Sequence, residues 1–197
     1  MVRAIFKGGF DDNFTYLLSS ADDCYAVIDP CGECAEYLAK EKIEPDKVRY
    51  ILITHGHSDH LDAVDDVKKL YPDAAVCGSV FAEFSCDIKL ADGEKLKFGN
   101  SEIEVIHTPG HSRDSVCYIY YPDRALFTGD TVFIGCIGFC RSPKIMADSL
   151  EKILALPNDL VVFSGHDYGG VPYRTLGVEK EDNPELSDSF IAELRKK

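Results

Sequence analysis

The stretch Ile53–Ala63, ITHGHSDHLDA, places three histidines and two aspartates within eleven residues, between segments that are typical of a protein core. His55 and His57 lie two residues apart at the end of the apolar run RYILIT. In an extended backbone, residues two apart point to the same side, so both imidazole rings face one space. The spacing therefore predicts a pair of metal ligands at a strand end.

The second part of the stretch leads into a predicted helix, Leu61–Leu70, in which apolar side chains recur three positions apart. Ser58 is the expected cap of this helix, and Asp59 suits the positive end of its dipole. Asp59 and His60 then face the same space as the two preceding histidines, from a different element. We therefore expect the stretch to supply ligands to two metal ions.

A strand-like apolar run that ends in a polar residue recurs along the chain. The five run ends are Asp29 in YAVID, His55 in VRYILITH, His111 in IEVIHTPGH, Asp130 in ALFTGD and His166 in LVVFSGH. Residues on loops at one end of a sheet converge in space even when they are far apart in sequence. These five positions are therefore candidates for a single site at one sheet edge.

Imidazole nitrogens and carboxylate oxygens are ligands that zinc, iron and manganese accept, and catalytic sites leave one position open. The candidate ligands form two sets, one of His55, His57 and His111, and one of Asp59, His60 and His166. Asp130 is placed to bridge the sets with one oxygen on each ion. Two divalent ions, most simply zinc, can lower the pKa of a shared water to about 7, so no serine or cysteine nucleophile is needed. His107, the sixth histidine, is expected to be an ordinary hydrogen-bonded residue at a strand end.

The composition is that of an ordinary globular chain, with 197 residues of which 45% are hydrophobic and 28% charged. The net charge of −13 disfavours nucleic acid as a partner, because its binding needs clustered lysine and arginine. No apolar run approaches the ~18 residues that cross a bilayer, and the first residues do not resemble an export signal. We predict a cytoplasmic protein that acts on a small molecule and has no membrane partner.

Eight cysteines would indicate a disulfide scaffold in a small secreted chain, but without an export signal most are expected to be reduced. CGEC, Cys31–Cys34, has the spacing of a metal or redox pair, yet no second pair completes a four-thiolate site. CIGFC, Cys136–Cys140, does not have the usual spacing. We interpret both pairs as free thiols.

Helical patterns alternate with the strand-like runs. They lie at Ala35–Glu41, Leu61–Leu70, Lys144–Leu156 and Leu186–Lys196. Strands and helices mixed in this order predict an α/β protein in which helices cover one or two sheets. The loop GGFDDNF, residues 8–14, is interpreted as a turn between two strands, with a place at the pocket as the alternative. No repeat or long linker divides the chain, so residues 1–197 are expected to form one domain.

Five motifs in order, VIDP, HGHSDH, TPGHS, FTGD and SGHDY, resemble the metallo-β-lactamase fold superfamily over residues 29–168. The resemblance implies an αββα sandwich of two mixed β-sheets flanked by helices, with the metal ions at one edge between the sheets. It also implies that Asp29 orients the histidine loop and does not bind metal.

Within that superfamily the chain is similar to glyoxalase II (hydroxyacylglutathione hydrolase), which has an aspartate at the position of Asp130 where many β-lactamases have a cysteine. Tyr168 in SGHDY matches the tyrosine that contacts the glutathione part of the substrate in glyoxalase II. The basic segment expected after the bridging aspartate is replaced by GFCR, Gly138–Arg141, so Arg141 is the candidate substrate-binding cation. Only 31 residues follow His166, so the additional C-terminal helical domain of glyoxalase II is expected to be absent.

The resulting hypothesis is a binuclear metal-dependent hydrolase of a thioester or related acyl ester, in which a metal-bridging hydroxide attacks the carbonyl and Asp59 steers the proton. An alternative is a mononuclear iron enzyme similar to persulfide dioxygenases, in which His55, His111 and Asp130 form a triad of two histidines and one carboxylate. Lactonases and phosphodiesterases of the superfamily are further alternatives. One iron per chain favours the dioxygenase, and two ions with thioesterase activity favour the hydrolase.

Overall fold

The computed structural model describes residues 1 to 197 and contains two six-stranded β-sheets. The first sheet consists of β1 (Val2–Gly8), β2 (Asn13–Ser19), β3 (Tyr25–Ile28), β4 (Val48–Leu52), β5 (Ala75–Ser79) and β6 (Ile88–Leu90), in that spatial order. Its first three strands pair antiparallel, and β3 to β6 pair in parallel. The carboxyl ends of β3 and β4 therefore meet at one edge.

In the second sheet, too, each strand lies next to its neighbours in the sequence. This sheet consists of β7 (Lys95–Phe98), β8 (Ser101–His107), β9 (Val116–Tyr120), β10 (Ala125–Gly129), β11 (Val161–Ser164) and β12 (Arg174–Thr175). All neighbours are antiparallel except β10 and β11, so β8, β10 and β11 run in the same direction. Both sheets are mixed, as predicted.

The main core lies between the two sheets and contains 18 buried residues drawn from both of them. Two tyrosine hydroxyls in this core cross from one sheet to the other. Tyr16 on β2 donates to the carbonyl of Ser164 at 2.5 Å, and Tyr118 on β9 donates to the carbonyl of Ile53 at 2.7 Å. A buried hydroxyl needs such a partner, and here the two bonds fix the relative position of the strand ends that carry the histidines.

Five α-helices cover the outer faces of the sheets. They are α1 (Cys34–Lys40), α2 (Val64–Leu70), α3 (Pro143–Leu154), α4 (Leu176–Asp182) and α5 (Asp188–Leu194). Buried side chains of α1 and α2 pack on the first sheet, and those of α3 to α5 pack on the second. This is the predicted αββα sandwich. No helix in the structure combines the length and the apolar character that crossing a bilayer requires.

The predicted start of the second helix is wrong, because α2 begins at Val64 and not at Leu61. Ser58–His60 form a separate 3-10 turn, which Leu61 closes by donating its N–H to the carbonyl of Ser58. Ser58 is therefore no cap: His57 precedes the turn, and no side chain caps it. The tight turn directs Asp59 and His60 toward the strand ends, which a continuous helix would not do.

The C-terminal region also differs from the prediction. Helix α4 was not predicted, since its seven residues are too short for a clear apolar repeat, and α5 begins at Asp188 and not at Leu186. Asn183 and Ser187 each accept a backbone hydrogen bond at the start of a turn or helix, which divides the segment into two short helices joined by a 3-10 turn.

Candidate metal centre

The predicted site residues come together at one edge of the sandwich. Asp29 follows β3, and His55 lies three residues after β4, both in the first sheet. His111, Asp130 and His166 follow β8, β10 and β11 of the second sheet. Because these strands end at the same edge, residues that are far apart in the sequence meet in one place.

Three histidines form a cluster that we call the His55 group, consisting of His55, His57 and His111. His55 Nε2 lies 2.9 Å from His57 Nδ1, and His111 Nε2 lies 3.0 Å from the same atom. His57 has an extended backbone, which directs it to the same side as His55. The three rings therefore aim their nitrogens at one point.

A second cluster, the His60 group, consists of Asp59, His60 and His166. The Nε2 atoms of the two histidines are 3.3 Å apart. Asp59 Oδ2 lies 3.5 Å from His60 Nε2 and 3.4 Å from His166 Nε2. Each residue thus offers one ligand atom to a common point beside the first cluster.

Asp130 lies between the two groups. Its Oδ1 is 3.3 Å from His60 Nε2, and its Oδ2 is 3.4 Å from the Nε2 atoms of both His111 and His166. Asp130 is buried, and its Oδ1 has no hydrogen-bond partner. An unsatisfied buried carboxylate oxygen is costly, and a cation is the partner that relieves it. The donor set and the unsatisfied oxygen fit two divalent metal ions.

Asp29 lies outside both groups and holds the histidine loop. It accepts hydrogen bonds from the N–H of Thr54 at 2.8 Å, from the Thr54 hydroxyl at 2.6 Å and from His60 Nδ1 at 3.0 Å. Because Nδ1 of His60 is engaged with Asp29, its Nε2 faces the centre. The Thr54 oxygen in turn accepts from Nδ1 of His55 at 3.1 Å, which leaves Nε2 of that ring for the centre.

Backbone carbonyls orient two of the remaining histidines in the same way. His111 Nδ1 donates to the carbonyl of Phe139 at 3.0 Å, and His166 Nδ1 donates to the carbonyl of Asp11 at 2.7 Å. A carbonyl can only accept, so Nδ1 carries the proton in both rings and Nε2 presents its lone pair to the centre. This is the arrangement that metal-binding histidines need.

The two groups differ in their electrostatics. Burial lowers the pKa of His55 well below its usual value, and it also lowers the pKa of His111. Burial opposes protonation of His60 too, but the charges of Asp29 and Asp130 outweigh it and raise the pKa of His60 well above its usual value. The raised pKa of His60 and the unsatisfied oxygen of Asp130 both indicate that a positive charge is favoured at this position.

Two glycines in the motifs let the backbone approach these side chains closely. A Cβ atom at Gly165 would overlap Oδ1 of Asp130. A Cβ atom at Gly129 would overlap the side chain of Thr54, and the backbone there has a φ of +49°, which favours glycine. The glycines of FTGD and SGHDY are thus required by packing around the ligands.

The loop at residues 8–14 is a turn between the antiparallel strands β1 and β2, as predicted, and it also contacts the candidate ligands. Asn13 Nδ2 donates to Asp59 Oδ2 at 2.8 Å, and Asp11 accepts from His166 through its carbonyl and from Tyr168 through its carboxylate. Asn13, Asp11 and Thr54 were not among the site residues predicted from the sequence. The dense acid and amide residues in GGFDDNF were the available signal.

The two predicted substrate-binding residues lie at the rim of the centre. Tyr168 is half exposed, stacks on His166 with ring centroids 5.1 Å apart, and donates its hydroxyl to Asp11. Arg141 is exposed and lines a pocket of about 620 Å³ that His111 borders. His107 lies outside both groups and donates Nε2 to the carbonyl of Arg113 at 2.9 Å, as expected for a hydrogen-bonded strand-end histidine.

The cysteines are free thiols, as predicted. Cys31 and Cys34 are buried, and burial raises the pKa of Cys31 to about 12 and that of Cys34 to about 11. Cys31 Sγ lies 3.2 Å from the hydroxyl of Thr15. Thiols with such pKa values are uncharged at neutral pH, so this pair has neither the exposure nor the thiolate character of a reactive site.

Known proteins resemble the chain in sequence and in fold. A hydroxyacylglutathione hydrolase of Francisella tularensis subsp. novicida (strain U112) is 36% identical over 163 residues, which are 79% of this chain and 63% of that protein. The chain thus spans less than two thirds of the length of this relative.

Two solved structures share the fold. ETHE1 from Myxococcus xanthus superposes with a TM-score of 0.82 and 27% identity, over 97% of this chain and 89% of that one. TTHA1623, solved in a di-iron-bound form, gives a TM-score of 0.76 and 26% identity, over 92% of this chain and 98% of that one. The family model of the metallo-β-lactamase superfamily matches residues 8–166, which include all seven candidate ligands. The chain belongs to the metallo-β-lactamase superfamily.

Proposed function

We propose that the protein is a metal-dependent hydrolase of a small thioester or related acyl ester, and that it binds two divalent ions. One observation carries this proposal: Asp130 lies between two ligand groups with Oδ1 facing one and Oδ2 facing both. The relative named hydroxyacylglutathione hydrolase supports a thioester as substrate. Zinc is the simplest choice of metal for this set of imidazoles and carboxylates, and iron or manganese also suits it.

Each ligand has a proposed role. The His55 group holds one ion, the His60 group holds the other, and Asp130 contacts both. When bound, the pair of ions lowers the pKa of a water molecule and polarises the carbonyl of the substrate. The protein keeps the four buried imidazoles oriented through their outer nitrogens, so the ligand set is in place before any ion arrives.

Asp59 is the proposed proton carrier. Burial tends to raise the pKa of Asp59, but the hydrogen bond from Asn13 and the neighbouring histidines lower it overall, so the side chain is an ionised carboxylate at neutral pH. Its side chain is partly exposed, while its Oδ2 lies close to the Nε2 atoms of His60 and His166. It can therefore accept a proton from the attacking water and hold it while the thiolate leaves. Tyr168 and Arg141 at the rim are the proposed substrate contacts.

A mononuclear iron dioxygenase remains the competing function. It needs only His55, His111 and Asp130, and it gives no role to the His60 group, all of whose members have orienting partners. We therefore favour the two-ion hydrolase. We also propose that residues 1–197 form one domain, since the two sheets share a core, and that the protein is cytoplasmic, which its eight free cysteines support.

Metal analysis combined with a substrate panel tests the proposal. Protein purified without added metal is analysed for zinc, iron and manganese, then assayed on glutathione thioesters, simple acyl thioesters, a lactone and a phosphodiester with each metal added. Two ions per chain with thioester hydrolysis as the fastest reaction is the expected result. One iron per chain, with oxygen uptake on a persulfide and no thioester cleavage, would contradict the hydrolase and favour the dioxygenase.

A further inference from the structure

One surface pocket adjoins the His55 group and is lined by two arginines without a carboxylate. Its volume is about 620 Å³, and the ten residues that line it include His111, Arg113 and Arg141 but no aspartate or glutamate. Four other surface grooves each contain at least one carboxylate. In a chain with 34 acidic and 21 basic residues, this composition makes the pocket a local exception that favours an anion.

Arg113 is held in position by its neighbours. Its guanidinium group lies over the ring of Phe81, 5.2 Å from the centroid. The ring of His107 stacks on the same Phe81 at 4.8 Å, and His107 also donates to the carbonyl of Arg113. A cation above an aromatic ring retains its hydrogen-bond donors, so this guanidinium is oriented but its donors stay available.

Arg141 reaches the same pocket from the loop before α3. The backbone N–H of Arg141 donates to the carbonyl of Gly110 at 2.9 Å, and this bond connects the loop to the segment that carries His111. Helix α3 begins at Pro143 and has no acidic residue in its first turn, so the positive end of its dipole is not compensated by the chain itself. The arginines that form ion pairs with carboxylates are Arg124, Arg174 and Arg195, and neither arginine of the pocket is among them.

We propose that this pocket is a subsite for a carboxylate group of the substrate, which Arg113 and Arg141 bind while Phe81 packs against the adjoining apolar part. Guanidinium groups match the planar geometry of a carboxylate and bind it with charge-assisted hydrogen bonds. The subsite begins at His111, so a bound carboxylate would place the rest of the molecule at the His55 group. The inference rests on the proposed function and narrows its substrate to carboxylate-bearing thioesters or esters.

Matched pairs of substrates test the subsite. The first pair is S-benzoyl-3-mercaptopropionate and its amide, in which the charge is on the thiol side. The second pair is the monothioester of succinic acid with benzyl thiol and its amide, in which the charge is on the acyl side. In the wild-type protein we expect KM to be about tenfold lower for the carboxylate than for the amide in at least one pair. Arg113→Gln and Arg141→Gln are each expected to reduce that ratio. Arg49→Gln, an exposed arginine at the opposite end of β4, is the control that keeps it.

Equal KM values within both pairs in the wild-type protein would overturn the subsite, and so would an unchanged ratio in the Arg113→Gln and Arg141→Gln variants. Calorimetry with thioether analogues of the same compounds, which cannot be hydrolysed, separates this result from the proposed function. Tighter binding of the carboxylate analogues that the two variants lose, without hydrolysis of any thioester, would refute the hydrolase and retain the subsite. Hydrolysis without any carboxylate preference would refute only the subsite.

Discussion

The two ligand groups of the centre differ in what surrounds them. Every member of the His60 group has its own partner outside the group: Asn13 holds Asp59, Asp29 holds His60, and the carbonyl of Asp11 holds His166. In the His55 group the partners are the hydroxyl of Thr54 and the carbonyl of Phe139, and the side chain of His57 lies within hydrogen-bond distance only of the two other members. All three side chains of the His60 group are therefore oriented by hydrogen bonds from outside the group, which we call braced, whereas only two of the three in the His55 group are.

The difference corresponds to position in the molecule. The His60 group lies against the loop between β1 and β2 and against the buried carboxylate of Asp29, which also raises the pKa of His60. The His55 group borders the open pockets, where His57 and His111 are lining residues. A braced ligand set loses less freedom when an ion binds, so we expect the His60 group to hold its ion more tightly and the His55 group to face the substrate.

Asp130→Asn should weaken metal binding at both groups, because Asp130 contacts both of them. The amide presents at most one acceptor oxygen, so neither group keeps its shared carboxylate. We expect fewer than two ions per chain after dialysis and a loss of hydrolysis greater than about 100-fold, since weakening even an outer partner of a ligand costs about 10- to 100-fold. Asp46→Asn, an exposed aspartate on a turn before β4, is the control. Unchanged metal content in Asp130→Asn would refute the bridging position.

Asp29→Asn should sharpen the comparison by weakening one group more than the other. Asparagine tolerates the positive φ of 48° at this position, so the backbone should be preserved while the charge beside His60 is lost. We expect the ion of the His60 group to bind about 10- to 100-fold more weakly, with a smaller effect on the other ion through Thr54. A competition titration against a chelator resolves the two affinities. Equal losses at both ions would show that Asp29 does not distinguish the groups.

Asn13→Ala should affect the His60 group alone, and less strongly. The substitution removes the donor to Asp59 but leaves the ligand itself, and Asn13 contacts no member of the His55 group. We expect about tenfold weaker binding of one ion, at the lower end of the range for outer partners. The same chelator titration measures it, with Asn100→Ala, an exposed residue between β7 and β8, as the control. A loss at the ion of the His55 group would refute the assignment of Asn13.

The candidate ligands could be predicted from the sequence because His55, His111, Asp130 and His166 each end a strand-like apolar run, where local pattern is informative. His57, Asp59 and His60 follow His55 closely in the same short motif. Residues at the ends of neighbouring strands lie close together. Five of the six histidines lie in these motifs, and so many imidazoles in one place favour a metal site over unrelated roles. The order of strand-like and helical patterns predicted an α/β protein with helices over one or two sheets, whereas the sandwich of two mixed sheets was implied by the family resemblance. Asp29 was a candidate because it also ends a strand-like run, and its orienting role was again what the resemblance implied.

The supporting residues could not be predicted in this way. Asn13 and Asp11 reach the centre because the start of β2 forms an isolated antiparallel bridge with His166, which is a tertiary contact with no local signature. The buried Glu179 in GVEKED looks like a solvated charge in the sequence, yet its side chain is fully buried. Arg113 became notable only once the fold placed it in a pocket with Arg141. Local sequence pattern therefore predicted the candidate ligands, whereas the residues that orient them became visible only in the packing of the fold.

Glu179→Gln tests how the C-terminal segment helps to orient His111 in the His55 group. Of the variants considered, it should have the smallest effect on metal binding. Glu179 accepts the N–H of Gly135 at 2.9 Å, and Glu185 accepts the N–H of Ile137 at 2.7 Å, so α4 and the turn after it hold the loop whose Phe139 carbonyl orients His111.

Glutamine keeps the volume of Glu179 and an acceptor oxygen but removes the charge that faces Arg174 at 3.2 Å. We expect the free energy of unfolding to fall by about 1 to 3 kcal/mol, as for a buried charged hydrogen bond that loses one partner. The ion of the His55 group should bind only a few-fold more weakly, because the carbonyl of Phe139 shifts but is not removed. Denaturant unfolding and the chelator titration measure the two effects, with the exposed Glu181→Gln as the control. If only the ion of the His60 group bound more weakly, the proposed role of α4 would be refuted, because the loop that α4 contacts orients His111 of the other group.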